Sequence, residues 1–309
     1  MIEMPVIDTL TMEENNTHLT FIGESFIYRF SKVHGSFESI QTNGVELLAN
    51  RPEPSIWRAP TDNDRNIQHG WRHQMMHCAT THVYSTSILE ATNTLVKLEV
   101  SYALGGPAVR PLLQGTTTYT IWATGEIQVA MHADVRENLN ALPRFGLELH
   151  MPAGNEQVAY FGMGPDENYM DLCQSAYMGR FETTVSNVYE PYIKPQECGN
   201  RTKVRWASVT TNTGVGLIIK GNVDFNLSAL HYTAEDLATT AMAHQLQPRK
   251  ETILHIDYRQ TGIGSNSCGP QLASNYEFNQ KTIDFTFSIK PIWIENIPAE
   301  LEYRMRPTI

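Results

Sequence analysis

The feature that most constrains the fold is a regular alternation of apolar and polar residues in many short segments. An apolar residue at every second position puts the apolar side chains on one face of an extended chain, so each segment is predicted to be a β-strand with one buried face. Thr124-Gly125 and Asn43-Gly44 interrupt such segments and predict tight hairpin turns. The clearest strand segments are 26–30, 96–102, 127–135, 145–151, 254–258 and 283–289.

Helical patterns are scarce by comparison. The best candidate is 234–245, where Thr233 can cap the helix and Asp236 follows three residues later. A shorter candidate covers 67–78. Many strands, one or two short helices and no linker-like stretch predict an all-β protein built as one large antiparallel sandwich.

Composition excludes several classes of partner. Hydrophobic residues make up 41% of the 309, enough for a core, and 23 Lys+Arg against 33 Asp+Glu give a net charge of −10. An acidic chain does not suit nucleic acid, and no apolar run approaches the ~20 residues that cross a membrane. The first residues show no secretory signal, so we expect a cytoplasmic protein with free thiols. The cysteines are Cys78, Cys173, Cys198 and Cys268.

A loop rich in glycine follows the strand segment 254–258. Residues 262–270 (GIGSNSCGP) place three glycines and one proline around a single thiol, Cys268. Glycine permits backbone angles that other residues avoid and proline fixes one, so the path of this loop is tightly specified. Composition leaves two interpretations open: a tight connection between strands, or a loop that carries a side chain into a binding site.

Paired carboxylates occur in two further segments. Asp62 and Asp64 in 57–64 (WRAPTDND) could bind a hard cation, but the other oxygen ligands of a calcium loop are missing, and an Asx-rich turn is the favoured interpretation. Asp166 and Glu167 are adjacent, so in a strand they would point to opposite faces and would not form an acid–nucleophile pair.

Histidines recur every four residues at His69, His73 and His77. On one helix they would share a face, a spacing that suits zinc. Gly70 and the lack of a nearby carboxylate pair favour a solvated face instead, and we predict no metal site in this chain. The loop 189–197 is rich in aromatic residues and proline, which suits sugar stacking or a protein interface.

Four segments together resemble a known family. They are similar in order and spacing to the C-terminal domain of family-2 β-galactosidases, and most closely to the small subunit of the heterodimeric β-galactosidases, in which one long enzyme is split into two chains. The resemblance covers roughly residues 15–290. The segments are 57–64 (WRAPTDND), 161–169 (FGMGPDENY), 189–199 (YEPYIKPQECG) and 262–270 (GIGSNSCGP).

The resemblance implies a fold, a reaction and a partner. The fold would be a galactose-mutarotase-like supersandwich, one domain over residues 1–292 with a tail at 293–309. The reaction would be retaining hydrolysis of terminal β-D-galactosides such as lactose, with transgalactosylation as a side reaction. The catalytic glutamates, Mg and Na or K would lie on the large subunit, so this chain would hold no catalytic residue and no cofactor.

Substrate-binding residues are carried over from the resemblance onto two loops. The glycine-rich loop contributes Cys268, Ser267 and Asn266, and in some single-chain relatives a tryptophan that stacks on the sugar stands where Cys268 is. The segment 65–74 matches a mobile flap of the relatives. The residues assigned around the start of that flap are Asp62, Asn63 and Asn66.

The resemblance also implies an extensive interface with the large subunit and self-association of the isolated chain through that face. Two alternatives stay open from the residues. One is a self-standing aldose mutarotase that uses His150, His231 or His255 with an acid, and the other is a non-catalytic carbohydrate-binding module. Aromatic candidates for the interface are Trp57, Trp71, Tyr189, Tyr192 and Trp206.

Overall fold

Strands dominate the computed structural model, which describes residues 2–5 and 8–308. All six segments predicted from the alternation lie within strands, because each buries its apolar face against the core. The strands are β1 (Ile2–Pro5), β2 (Thr11–Glu14), β3 (His18–Ile22), β4 (Phe26–Ser31), β5 (Ser36–Thr42), β6 (Val45–Glu46), β7 (Asn50–Ser55), β8 (Thr80–Ala91), β9 (Leu95–Gly105), β10 (Leu113–Trp122), β11 (Ile127–Val135), β12 (Arg144–Met151), β13 (Gln157–Gly164), β14 (Tyr177–Thr184), β15 (Arg201–Thr210), β16 (Val215–Leu230), β17 (Thr252–Gln260), β18 (Thr282–Trp293) and β19 (Met305–Thr308).

Short helices connect some of these strands. The helices are α1 (Ile67–His73), α2 (Val185–Val188), α3 (Ala234–Thr239) and α4 (Ala299–Arg304). Two of the helices, α1 and α3, lie in the predicted segments. The other two, α2 and α4, have four and six residues and are too short to show a helical period in the sequence. In the 234–245 segment the predicted capping box forms, but the helix ends at Thr239, where the Thr239 and Thr240 hydroxyls bond back to backbone carbonyls.

The strands form one large sheet and two smaller ones. The twelve-stranded sheet runs in the order β14-β13-β15-β16-β18-β11-β10-β9-β8, and β16 also pairs with β17, which continues through β12 to β7. A five-stranded sheet contains β2 to β6, and β1 pairs with β19 in parallel. The all-β antiparallel prediction is therefore confirmed.

The five-stranded sheet packs its aromatic face against the large sheet. Phe30 and Phe37 lie edge-on to Tyr119 of β10, with ring centroids 5.4 and 5.5 Å away. The Tyr28 hydroxyl donates to the Gly125 carbonyl at 2.7 Å and so satisfies a polar group inside this contact. Edge-to-face aromatic pairs add to the area that they bury, so this cluster holds the two sheets together.

Both predicted hairpin turns are present. Asn43 and Gly44 connect β5 to β6 with φ values of 47° and 79°. Positive φ at both central residues is the requirement of a type I′ turn, which Asn-Gly satisfies at low cost. Gly125, with φ of 80°, turns the chain between β10 and β11.

The residues after β18 pack against the sandwich. Ala299 of α4 joins a buried cluster with Trp206 and Ile218, and the Glu302 carboxylate accepts from the buried Lys220 ammonium at 3.3 Å. The segment 294–308 thus lies against the domain, while residues 1 and 309, the outer limits of the predicted domain and tail, are outside the described part.

Three of the aromatic residues assigned to the interface belong to the core. Trp57, Trp71 and Trp206 are buried in this chain alone, so their assignment to a subunit interface is wrong. Trp206 lies in β15, Trp71 in α1 and Trp57 in the loop after β7, and the residue type alone could not show that each of these elements turns its tryptophan inward. Tyr192 is 39% exposed and remains available to a partner.

Candidate functional site

The WRAPTDND segment and the glycine-rich loop meet at a buried arginine. One terminal nitrogen of Arg58 donates to both carboxylate oxygens of Asp64, at 2.8 and 3.1 Å, and to the Gly262 carbonyl at 3.2 Å. Its other terminal nitrogen donates to the Thr261 carbonyl. Asp64 is therefore a structural counter-ion of Arg58, which argues against the cation-binding interpretation.

Asn63 ties the tips of the same two segments together. Its side-chain nitrogen donates to the Gly264 carbonyl at 2.7 Å, and its side-chain oxygen accepts from the Ser267 backbone N–H at 3.2 Å. Gly264 adopts φ of +68°, a conformation that a residue with a side chain rarely takes. One amide side chain thus fixes both sides of the loop.

Asp171 holds the loop from the opposite side. Its two carboxylate oxygens accept from the Ile263 and Gly264 backbone N–H groups, at 2.9 and 2.7 Å. A side chain on Gly262 would come within 2.7 Å of the same carboxylate, so glycine is required there for this close approach. The loop is consequently a preorganised element rather than a simple strand connection.

The other two motif segments join each other directly. The Glu167 carboxylate accepts from the Gly199 N–H at 2.8 Å and from the Tyr192 hydroxyl. The Asn200 side chain donates to the Asn168 carbonyl at 2.8 Å. With Glu167 engaged in this way and Asp166 exposed to solvent, the two carboxylates do not act as a pair, as the sequence predicts.

Further contacts connect these segments to the first motif. The Asp62 N–H donates to the Gln196 side-chain oxygen at 2.8 Å, and the Glu197 N–H donates to the Ala59 carbonyl at 3.2 Å. All four segments that carry the family resemblance therefore converge at one end of the large sheet, although they are far apart in sequence.

A buried ionic layer lies beneath this junction. The Arg144 guanidinium contacts the Glu197 carboxylate at 2.5 Å and the Asp257 carboxylate at 3.4 Å. Burial raises the pKa of Asp257 to about 7, even though the nearby Arg144 charge opposes the shift. Burial also raises the pKa of Glu197, again against the attraction of Arg144. Because both acids are buried, we infer that this ionic layer supports the loops structurally.

A cavity of about 380 Å³ opens beside the glycine-rich loop. Its lining contains five side-chain amides, and each offers both a donor and an acceptor. Sugar hydroxyls need this mixture, because each hydroxyl also donates and accepts. The amides are Asn63, Asn66, Asn140, Asn266 and Gln271.

Three of the six substrate-binding residues carried over from the resemblance line this cavity together: Asn63, Asn66 and Asn266. The remaining three, Asp62, Ser267 and Cys268, are exposed beside it. Ser267 contributes its backbone N–H to Asn63, and the Ser267 hydroxyl lies 3.9 Å from the Cys268 sulfur. Their contact with a sugar stays a prediction.

Sequence reasoning missed Asp171, Asn140 and Gln271. Asp171 is 92 residues from Ile263, and Asn140 reaches the cavity from the connection between β11 and β12. No local pattern marks an isolated polar residue in a loop. Gln271 directly follows the quoted glycine-rich segment, so extending that segment by one residue would have found it.

The cavity lacks a catalytic acid pair of its own. Among the described residues its lining includes two carboxylates, Asp64 and Glu277, and Asp64 is neutralised by Arg58. Retaining glycosidases use two carboxyl groups about 5 Å apart on either side of the scissile bond. In the part of the chain that the structure describes, this cavity therefore does not contain the free carboxyl pair of a retaining glycosidase.

The spaced histidines do not form a ligand set. His69 and His73 are exposed on α1, whereas His77 lies beyond the end of that helix, with its ring centroid 5.8 Å from that of Trp57. Within residues 2–5 and 8–308, no group of three or more His, Cys, Asp or Glu side chains is arranged to hold a metal ion. The same part of the chain has no helix long and apolar enough to span a membrane.

Two of the three histidines considered for mutarotase chemistry meet at one carboxylate. His150 Nε2 lies 2.7 Å from Glu148 Oε1, and His255 Nε2 lies 3.8 Å from Glu148 Oε2. Burial and the Arg144 charge lower the pKa of His255 to about 3. His231 lies apart from this group and contacts Glu156 at 2.7 Å.

Three relatives identified by sequence are each called beta-galactosidase. The chain is 36% identical over 271 residues to the enzyme of Staphylococcus xylosus, covering 87% of this chain and 27% of that protein. It is 31% identical over 287 residues to the enzymes of Priestia megaterium and Lactobacillus delbrueckii subsp. bulgaricus, covering 92% and 91% of this chain and 27% and 28% of those proteins. The chain thus spans about a quarter of the length of these relatives.

Solved structures with a similar fold share little sequence with this chain. A putative aldose 1-epimerase from Escherichia coli matches with a TM-score of 0.45 and 11% identity, covering 92% of this chain and 99% of that one. Galactose 1-epimerase from Lactobacillus acidophilus matches with a TM-score of 0.42 and 9% identity, covering 93% and 98%.

The four converging motif segments all lie within one family match. Residues 22–289 match the model of the family described as "Beta galactosidase small chain". That range includes the amide-lined cavity, the buried ionic layer and most of the large sheet. Since the match spans most of its length, the chain belongs to the beta-galactosidase small chain family.

Proposed function

We propose that this chain is the small subunit of a heterodimeric β-galactosidase and completes the galactoside pocket of a large catalytic subunit. The assembled enzyme would hydrolyse terminal β-D-galactosides such as lactose with retention of configuration, and would also transfer galactosyl groups to sugars. The chain spans about a quarter of each single-chain relative, so the partner would supply the remaining part.

The observation that carries this proposal is the cavity beside the glycine-rich loop. It is lined with amides suited to sugar hydroxyls, two of the four motif segments (57–64 and 262–270) contribute to its lining, and its two lining carboxylates among the described residues include one that Arg58 neutralises. Such a cavity positions a sugar but lacks the acid pair that retaining hydrolysis requires. The partner's two carboxylates would complete the chemistry.

Within the complex, this chain would help to position the substrate. Asn63 and Asp171 hold the glycine-rich loop, so Ser267 and Cys268 would project from a fixed backbone toward the shared pocket. Preorganised loops reduce the entropy that substrate binding must overcome. The 65–74 segment, which contains α1, would act as the flap at the cavity edge, where Asn66 and Ile67 already line it.

Metal ions would belong to the large subunit. The carboxylates nearest to the cavity in this chain include Asp64 and Asp171, which are engaged by Arg58 and by two backbone N–H groups. They are thus committed to structural roles. In the complex, Mg and Na or K would assist the galactoside chemistry from the partner's side.

Calorimetric titration with a galactoside tests this division of roles. The isolated chain should bind the galactoside much more weakly than the reconstituted pair, because a pocket built by two chains loses many of its contacts when one is removed. Tight binding at the amide-lined cavity of the isolated chain would instead support a self-standing carbohydrate-binding module. The variant Asn66→Ala identifies that cavity, since it removes one lining amide from an exposed residue.

A further inference from the structure

A second and larger cavity shares no lining residue with the cavity beside the glycine-rich loop, and of the four motif segments it meets the first one, at Trp57. It measures about 630 Å³ and is formed by β7, β12, the start of α3 and the turn at 76–78. This volume is within the range of small-molecule sites in proteins. Asn63, Asn66 and Asn266 do not line it, so it is distinct from the cavity described above.

The lining offers neutral polar groups of both kinds. Asn50 contributes an amide and Ser55 a hydroxyl, and both lie on β7. Trp57 and His77 line the same cavity, and in the described part of the chain the Trp57 indole nitrogen and His77 Nδ1 are buried without a hydrogen-bond partner. Buried polar atoms without partners are uncommon in folded proteins and suggest an additional binding group.

Most of the charged groups at this cavity are already paired. The Arg51 guanidinium contacts the Glu53 carboxylate at 2.8 Å, and His150 contacts Glu148 at 2.7 Å. Glu38 is paired with His18 at 2.9 Å. These pairs leave little charge available to attract an ion of either sign. Carboxylates nonetheless outnumber cations in the lining, which contains Glu235 in addition to Glu38, Glu53 and Glu148. This excess of negative charge would repel a phosphate group.

We propose that this cavity binds an uncharged, polyhydroxylated ligand of monosaccharide size. Hydroxyl groups would pair with the amide and hydroxyl of β7 and with the edge of the Glu148–His150 pair. The site is separate from the proposed galactoside pocket, because the two cavities share no lining residue.

The test is a titration of the full chain with D-galactose, D-glucose and D-galactose 6-phosphate, in which binding is measured by calorimetry or ligand-observed NMR. We expect at least one uncharged sugar to bind saturably. The phosphorylated sugar should bind with an affinity lower by roughly tenfold or more. Asn50→Ala and Ser55→Ala should each weaken the binding of the uncharged sugar by roughly threefold to tenfold, because each removes one hydrogen-bonding group.

Two matched variants control this experiment. Asn66→Ala removes an amide from the cavity beside the glycine-rich loop, and Asn279→Ala removes an exposed amide outside both cavities. Asn279→Ala should leave the binding unchanged, whereas Asn66→Ala reports any sugar bound at the cavity beside the glycine-rich loop. The proposal is overturned if neither uncharged sugar binds saturably, or if Asn66→Ala abolishes the binding while Asn50→Ala and Ser55→Ala do not affect it. Neither result would bear on reconstitution with a large subunit.

Discussion

Individual polar residues decide where the glycine-rich loop lies. Asn63 and Asp171 each make two hydrogen bonds to its backbone, and Arg58 binds the two carbonyls at its start. Because Asn63, Asp171 and Arg58 bind backbone groups of the loop, none of these contacts depends on the side chain at position 268. The identity of residue 268 can therefore vary without loss of the loop geometry.

Replacement of Cys268 tests whether this residue faces the sugar. In the reconstituted pair, Cys268→Trp should change both the KM for the galactoside and the ratio of hydrolysis to transfer, because a large aromatic surface would enter the shared pocket. Cys268→Ser, which is similar in size to the thiol, should have a much smaller effect. If both quantities stay at wild-type values in Cys268→Trp, Cys268 does not contact substrate.

Replacement of Asp171 tests the anchoring of the loop. Asp171→Ala leaves the Ile263 and Gly264 N–H groups without their acceptor, so their hydrogen exchange should accelerate by roughly tenfold to a hundredfold. Asp166→Ala removes an exposed carboxylate from the same connection and should not change the exchange of these amides. Equal exchange rates in Asp171→Ala and wild type would rule out the anchor.

At the scale of elements, strands were predictable and the site was not. Alternation marks a strand because one face is buried, and Asn43-Gly44 marks a turn because both residues tolerate positive φ. The site is made of loops whose polar residues meet across more than 90 positions, as Asp171 meets Ile263. Sequence period carries no information about such contacts, so the strand pattern could not have predicted that these loops meet.

The Arg58–Asp64 pair lies within the first of these loops and is almost completely buried, and Arg58 also binds the start of the glycine-rich loop. Arg58→Ala would leave the Asp64 charge without a partner, and we expect a loss of about 3–5 kcal/mol in the free energy of unfolding, measured by urea denaturation. Arg205 provides a matched control. Like Arg58, it pairs with an aspartate and lies over an aromatic ring, but the side chains of its pair with Asp224 are about half exposed.

Arg205→Ala should therefore cost no more than about 1 kcal/mol. A similar loss of stability in the two variants would show that burial of the Arg58 pair does not matter. Replacement of both Arg58 and Asp64 by apolar residues should recover part of the loss, because no unpaired charge would then remain buried.

Strand β17 carries two buried groups with opposite effects on stability. The folded chain keeps the Asp257 proton up to a pKa of about 7, whereas the unfolded chain releases it near 3.8, so this group lowers stability as pH rises through that window. His255 has a pKa of about 3 when folded and 6.5 when unfolded, so its stability contribution is present above 6.5 and is lost as pH falls.

Single variants should separate the contributions of Asp257 and His255 to the pH dependence of the free energy of unfolding. Between about pH 5 and about pH 6.5, Asp257→Asn should make the free energy of unfolding rise more with pH than in wild type, and His255→Gln should make it rise less or fall. Urea denaturation at several pH values measures both slopes. The same change of slope in the two variants would contradict the assignment of Asp257 and His255 as buried neutral groups.

At the scale of the whole molecule, the proposed function describes a folded sandwich whose site is completed by a partner. The sandwich has its own core, and helix α4 packs against it. Among the described residues, the cavity beside the glycine-rich loop is lined by five side-chain amides and two carboxylates, and one of these carboxylates, Asp64, is paired with Arg58. The family resemblance named three of the residues in that lining, while the second cavity and the Asp171 anchor emerged only from the structure.

The most direct test of the central claim is reconstitution of activity. The purified chain, a large β-galactosidase subunit and an equimolar mixture are assayed separately with a chromogenic galactoside. We expect the mixture to hydrolyse the substrate, with a rate that rises with added small chain and saturates at equal amounts, and the chain alone to show no hydrolysis. Hydrolysis by the chain alone at a rate comparable to the mixture, or no gain when it is added to the large subunit, would contradict the account.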